Sequence, residues 1–144
     1  MRVITFSRYY PKGHPKQGTP TRFVELVLNS LNNNDLFWQK HHTIRSGIRW
    51  KVGDKFSARF WIDKPYRSKQ DEFAQIEVRK IWNFQILKDG YYIDGKLCSY
   101  DLLKEIANND GLGVDDFETW FAIHPSVKRN NFAGQIICWN EKIN

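Results

Sequence analysis

Residues 40–56 read KHHTIRSGIRWKVGDKF, and the fold prediction for the whole chain starts from this stretch. Lys40, Thr43 and Arg45 bring an amine, a hydroxyl and a guanidinium close together, with no carboxylate between them. The Gly-Asp step at 53–54 predicts a turn into the next strand. On a flat strand, residues three apart point to opposite faces, so Lys40 and Thr43 share a cleft only if the chain bends between them.

The composition is that of one globular domain. The chain has 144 residues, of which 41% are hydrophobic and 15% aromatic, and this suffices for a core without disulfides. Cys98 and Cys138 have no metal-ligand spacing and are expected to be buried thiols. We expect a cytoplasmic protein, because no apolar run approaches the about 20 residues that a membrane span needs.

The net charge of +6 is unevenly distributed. Residues 1–80 carry a net charge of +9, whereas residues 81–144 carry −3. This asymmetry favours an anionic partner, most simply nucleic acid, although a basic protein without such a partner has the same composition. Two segments, SRYYPK at 7–12 and KPYRSK at 64–69, interleave cations with tyrosines, as single-stranded RNA sites do, but ordinary charged loops also look like this.

Strand and helix patterns intermingle along the rest of the chain. Alternating or β-rich patterns predict strands at 2–7, 55–63, 73–87 and 132–140. Within 73–87 the apolar phase shifts near Lys80, which predicts a bulge or a sharp bend. Helices are predicted after Thr19-Pro20, after the capping residue Ser99 and at 114–121. The prediction is an α+β fold of about five or six strands in a small curled sheet or barrel, with about three flanking helices.

The 40–56 stretch resembles the signature of the ASCH domains, a family with a PUA-like β-barrel fold. The family pattern is a Lys, two residues, a Thr, one residue and an Arg, followed by a Gly-Asp turn. Lys40, Thr43, Arg45 and residues 53–54 occupy these places. Segments 76–78 and 107–117 and the final strand sit where similar family segments lie. The resemblance therefore implies a single PUA-like domain over residues 1–144.

The activities assigned to ASCH domains imply nucleoside or nucleic-acid chemistry. Some members remove the acetyl group of N4-acetylcytidine with a Thr nucleophile, the Lys of the same motif and a Glu from the later helical region. By resemblance, Thr43 and Lys40 take the first two roles, and the Glu position falls on Asp110, one methylene shorter. Trp38 is a second departure, because the family pattern has a Gly two residues before the Lys. Other members are regarded as RNA-binding modules or as ribonucleases.

These residue types suit a reaction in which a base activates a hydroxyl group as the nucleophile. A threonine hydroxyl becomes a nucleophile when a base takes its proton, and a lysine can be that base when burial or nearby cations lower its pKa. Asp110, at a helix C-terminus, would hold its proton more readily and deliver it to a leaving amine. Arg45 would stabilise negative charge. An exposed basic strand edge and a simple helix stop are the structural alternatives.

The same cleft is expected to bind RNA or a modified nucleoside. The candidate binding residues are Arg45, His42, Arg49, Trp50, Tyr9, Tyr66 and Arg67. Neighbouring histidines diverge along a strand, so His41 and His42 predict no metal site, and no cofactor is expected.

Three functions therefore stay open: an amidohydrolase, a non-catalytic RNA-binding module, and a metal-independent ribonuclease that uses His41 or His42. We expect a monomer, although the sequence leaves the oligomeric state open.

Overall fold

Strands and helices follow one another irregularly along residues 1–140, which are the residues described by the computed structural model. In chain order, the elements are β1 (Arg2–Thr5), α1 (Phe23–Leu31), β2 (His42–Ser46), β3 (Lys55–Trp61), β4 (Gln70–Glu77), β5 (Lys80–Leu87), β6 (Gly90–Ile93), β7 (Lys96–Leu97), α2 (Tyr100–Asn109), α3 (Val114–Ala122), α4 (Pro125–Lys128) and β8 (Phe132–Cys138). This is the α+β class that the sequence predicts.

The strands form two sheets. One has the order β1-β3-β4, with β1 parallel to β3, and the other has the order β2-β8-β5-β6-β7 and is antiparallel throughout. Over residues 1–140 the two sheets are not joined into a closed barrel, so the barrel stays a prediction. Both sheets and the helices α1, α2 and α3 contribute side chains to one buried cluster.

A sharp corner at residues 78–79 carries the chain from one sheet into the other. Val78 exchanges backbone hydrogen bonds with the turn before β3, donating to Asp54 O at 2.8 Å and accepting from Gly53 N at 2.9 Å. The next residue, Arg79, donates its N–H to Cys138 O of β8 at 2.8 Å. The bend predicted from the phase shift near Lys80 is therefore confirmed, because the chain changes sheets there.

The predicted start of α1 is wrong by three residues. Instead of capping the helix from Thr19, the chain pairs Pro20 with Tyr9 in an isolated bridge, and the helix begins at Phe23. Thr21 donates its hydroxyl to Ser7 O at 2.6 Å and accepts from Phe23 N at 3.2 Å. A tertiary contact with the N-terminal loop thus displaces the local capping signal.

The predictions for α2 and α3 hold. Ser99 caps α2 by accepting from Leu102 N at 3.1 Å, and Gly111 follows the helix with a φ of 82° in the left-handed region. The structure has eight strands and four helices over residues 1–140, more than predicted. The missed elements include the two-residue β7 and the four-residue α4, which are too short to show a periodicity.

Gly134 permits the close pairing of β2 with β8, and its substitution tests this pairing. A Cβ at Gly134 would lie 2.3 Å from the backbone oxygen of Arg45. We expect Gly134→Ala to lower the free energy of unfolding by about 1–3 kcal/mol in urea denaturation, because the strands must move apart. At Gly113 the added methyl group meets open space, so Gly113→Ala is the control and should lose less than about 1 kcal/mol. Equal losses in the two variants would contradict this account of the pairing.

Candidate active site

The backbone before β2 is held between α1 and the C-terminal end of α2. Lys40 donates its N–H to Leu26 O of α1 at 3.0 Å, and His41 donates its N–H to Asn109 O of α2 at 2.7 Å. The strand begins only at His42. Because Lys40 precedes the regular strand, the alternation of faces does not apply between Lys40 and Thr43, and both side chains reach one cavity.

A buried ion pair joins the start of β2 to the end of α2. Lys40 Nζ donates to Asp110 Oδ1 at 2.7 Å and to the backbone oxygen of Asp110 at 2.6 Å. Lys40 is 2% exposed and Asp110 is 5% exposed. Asp110 is the C-cap of α2, as the sequence predicts. The left-handed Gly111 then turns the chain. Its Cα packs closely: a Cβ at this position would lie 3.4 Å from Lys40 Cβ and 3.1 Å from Leu26 Cδ1.

Burial changes the proton affinity of both partners. It lowers the pKa of Lys40 and raises the pKa of Asp110, in each case against the favourable charge of the other partner. Arg45 adds to the fall of the Lys40 pKa. Both shifts reduce the free energy needed to move a proton from the ammonium to the carboxylate. Both shifts act in favour of a neutral pair, with a free amine on Lys40 and a carboxylic acid on Asp110.

Aromatic rings form the apolar wall around the amine of Lys40. Its Nζ lies 4.3 Å from the ring centroid of Phe23 and 6.0 Å from that of Phe6. The ring faces stabilise the cation but supply no hydrogen-bond acceptor. Neither phenylalanine was among the residues predicted for the site; Phe6 directly follows β1 and Phe23 begins α1, and their apolar patterns also describe ordinary core residues.

Thr43 and Arg45 complete the polar side of the cavity. Thr43 is buried, and its hydroxyl oxygen accepts from Arg45 Nε at 3.2 Å. Arg45 Nη2 also donates to Thr5 O at 2.8 Å. Burial lowers the pKa of Arg45 to about 10, while the nearby charge of Asp110 opposes the fall. Because this pKa lies well above 7, the guanidinium stays protonated at neutral pH.

The inner cavity brings the three predicted catalytic residues together. It has a volume of about 140 Å³, and Lys40, Thr43, Asp110 and Arg45 all line it. The remaining walls are mostly apolar, from Phe6, Phe23, Ile44, Leu112, Trp120 and Phe121. An amine, a hydroxyl, a carboxyl group and a guanidinium therefore surround one small space.

A larger groove adjoins the inner cavity. This outer groove, lined by residues from 2–12, 17–18, 45–50 and 61–66, has a volume of about 1100 Å³. Phe6, Ser7 and Arg45 line both spaces. Of the predicted binding residues, Arg45, Arg49, Trp50, Tyr9 and Tyr66 line the outer groove. Arg67 is exposed in the same loop as Tyr66 but does not line the groove.

His42 lies beneath the site and lines neither space. It is 2% exposed, and Nε2 is 3.8 Å from Asp110 Oδ1. Within residues 1–140, neither ring nitrogen has a partner with hydrogen-bond geometry, although the backbone of Ile106 is close enough to favour protonation. Burial, together with the charges of Lys40 and His41, holds the pKa of His42 well below its usual range. The ring is therefore neutral at pH 7.

Gln135 is a positioning residue that the sequence analysis missed. It is buried on β8, and its Oε1 accepts from the N–H groups of Arg49 and Trp50, both at 3.1 Å. Its Nε2 donates to Trp50 O at 2.9 Å. One side chain thus holds the 49–50 backbone at the wall of the outer groove. A lone polar residue inside the apolar run of β8 was the available signal.

Trp38, which departs from the ASCH pattern, fits its position. Its Nε1 donates to Asn108 O at 2.9 Å, close to the C-terminus of α2. Its φ lies outside the positive range, so the backbone does not require a glycine here. The hydrogen bond of the indole instead connects the segment before Lys40 to the last turn of α2.

Two wider properties concern residues 1–140 alone. Among these residues, no group of three or more His, Cys, Asp or Glu side chains could hold a metal ion. None of their helices combines the length and the apolar character that crossing a membrane requires.

In comparisons with models of protein families, with curated proteins and with solved structures, nothing matches the chain.

The buried, neutral His42 predicts a pH dependence of stability. Its folded-state pKa is depressed, so below the unfolded-state pKa of about 6.5 the unfolded chain binds the proton and the folded chain does not. Wild-type stability should fall by up to about 1.4 kcal/mol per pH unit below pH 6.5 from this group. In His42→Leu this contribution is absent, so urea denaturation should show a smaller loss between about pH 8 and pH 5 than in wild type. Equal losses in both proteins would show that His42 does not cause the effect.

Proposed function

We propose that this protein is an ASCH-type amidohydrolase that removes the acyl group from a modified nucleobase such as N4-acetylcytidine. In this proposal, the two sheets are parts of a PUA-like barrel. One observation supports the proposal above the others: the buried pair of Lys40 and Asp110 opens onto the same cavity as the hydroxyl of Thr43. These are the groups that the resemblance to the family assigns to catalysis.

The first step starts from the neutral form of the pair. The amine of Lys40 takes the proton of Thr43 as the hydroxyl oxygen bonds to the acyl carbon of the substrate. The carbonyl oxygen becomes an oxyanion. The guanidinium of Arg45, whose Nε lies 3.2 Å from the hydroxyl oxygen of Thr43, stabilises this negative charge. The apolar side chains around the cavity lower the local dielectric constant and so strengthen this charge stabilisation.

Breakage of the C–N bond uses the proton on Asp110. As the carbonyl reforms, the carboxylic acid gives its proton to the leaving nitrogen of the nucleobase. Lys40 is then an ammonium and Asp110 a carboxylate, which is the ion pair observed at 2.7 Å. Return of the proton from Lys40 to Asp110 prepares the pair to activate water, which cleaves the acyl-threonine ester. Water gives a proton to Lys40, Asp110 gives one to the Thr43 oxygen, and the carboxylic acid leaves.

A non-catalytic RNA-binding module is the second candidate. The observation that favours it is the outer groove, which offers cations and aromatic rings without any need for a proton transfer. The ribonuclease has less support from the geometry, because neither His41 nor His42 lines the inner cavity or the outer groove, and His42 is buried and neutral. We place all three functions in the cytoplasm, in keeping with the free thiols of Cys98 and Cys138.

Turnover of N4-acetylcytidine tests the proposed function. Cytidine release, followed by chromatography, should fall about 10²- to 10⁴-fold in Thr43→Val and in Lys40→Met, because each variant loses a group that acts in the transition state. Thr119→Val removes a hydroxyl on α3 that only donates to Asp115 O, and it should retain wild-type turnover. Mass spectrometry should find an added acetyl group on Thr43 during turnover.

Two results would contradict the amidohydrolase. One is the absence of cytidine release from folded wild-type protein, and the other is full turnover by Thr43→Val. RNA binding without turnover would favour the non-catalytic module, and shortening of labelled RNA would favour the ribonuclease.

A further inference from the structure

We propose that the outer groove binds a single strand of RNA, so that the acylated base reaches the inner cavity as part of a polynucleotide. This inference rests on the proposed function, which supplies the ribonucleotide base, and it adds the class of substrate. The residues that carry it are Tyr9, Tyr66, Lys12 and Arg49, which lie outside the inner cavity.

The sizes of the two spaces support a substrate longer than one nucleoside. The inner cavity, at about 140 Å³, is smaller than the about 300–1,000 Å³ typical of a small-molecule site. The outer groove, at about 1100 Å³, exceeds that range. Since Phe6, Ser7 and Arg45 line both spaces, a ligand can extend from one into the other. A free nucleoside would fill the inner end and leave most of the groove to water.

The charges of the outer groove suit phosphates. Among residues 1–140, its lining contains one carboxylate, that of Asp63, against the five cations Arg2, Arg8, Lys12, Arg45 and Arg49. Within residues 1–140, neither Lys12 nor Arg49 has a carboxylate partner. Unpaired cations along a groove attract a polyanion and release its counterions.

The aromatic residues at the edge of the groove suit unpaired bases. Tyr66 is 88% exposed and Tyr9 is 51% exposed. The Tyr66 ring centroid is 5.4 Å from that of Trp61, which also lines the groove. Tyr66 has a φ of 64°, a left-handed conformation that costs free energy for any residue with a side chain. A costly backbone conformation that presents an exposed ring in a groove with unpaired cations is typical of a binding site.

The combination favours RNA over an acidic protein segment. Cations alone would suit either partner. Exposed flat rings stack on bases, and a side cavity next to a cationic groove suits a base that is turned out of the strand. A duplex does not present such bases, so the strand is expected to be single.

Fluorescence anisotropy with a labelled RNA of about 10 nucleotides, containing one N4-acetylcytidine, tests the inference. Tyr66→Ala should weaken binding about 5- to 100-fold, because a stacking surface is lost. Arg49→Gln should also weaken it and should lower the slope of log K against log salt by about 0.7 between about 50 and 200 mM salt. Arg67→Gln is the matched control: Arg67 is exposed near Tyr66 but lies off the groove, so wild-type binding is expected.

Three results would overturn the inference: no binding of single-stranded RNA at about 50 mM salt, equal weakening in Arg67→Gln and Arg49→Gln, or tighter binding of duplex RNA or of DNA with the same sequence. The two proposals fail separately. Thr43→Val should still bind the RNA, so binding without turnover contradicts only the amidohydrolase. The RNA-binding proposal alone is contradicted if the protein turns over the free nucleoside, Tyr66→Ala leaves that turnover unchanged, and no RNA is bound.

Discussion

The ion pair between Lys40 and Asp110 is the contact on which the arrangement of the site depends. It joins positions 70 residues apart in the chain and lies almost wholly out of water. Burying two charges has a desolvation cost, and the attraction between the charges often only offsets this cost. Stability alone therefore does not explain why a protein keeps such a pair. A pair that can exchange its proton beside a hydroxyl has a chemical use. We therefore interpret the Lys40–Asp110 pair as the reactive centre of the domain.

The surroundings of the pair make its geometry rigid. Backbone hydrogen bonds from residues 40 and 41 hold the start of β2 against α1 and α2, and the left-handed Gly111 turns the chain directly after the acid. Arg45 then links the hydroxyl of Thr43 to Thr5 at the boundary with the outer groove. The lining changes from aromatic around the amine of Lys40 to cationic along the outer groove.

Local patterns predicted the parts of the structure that local physics decides. The α+β class, the caps of α2, the C-cap position of Asp110 and the corner near Lys80 follow from periodicity and turn residues. The start of α1 was wrong because Thr21 bonds to a distant loop, and Arg67 was placed at the site because a loop sequence does not reveal which side chains face inward. The contacts of Gln135 and the burial of His42 depend on strand pairing across the sheet, which no single segment encodes.

A double-mutant cycle on the unfolding free energy tests the buried pair most directly. Lys40→Met and Asp110→Leu should each cost about 3–5 kcal/mol, since each leaves a buried charged partner alone. The loss of unfolding free energy in the double variant should be smaller than the sum of the two single losses by at least about 2 kcal/mol, because no lone charge remains. Losses that add within about 0.5 kcal/mol would show that the two groups do not interact in the folded protein, and the account of the site would then be wrong.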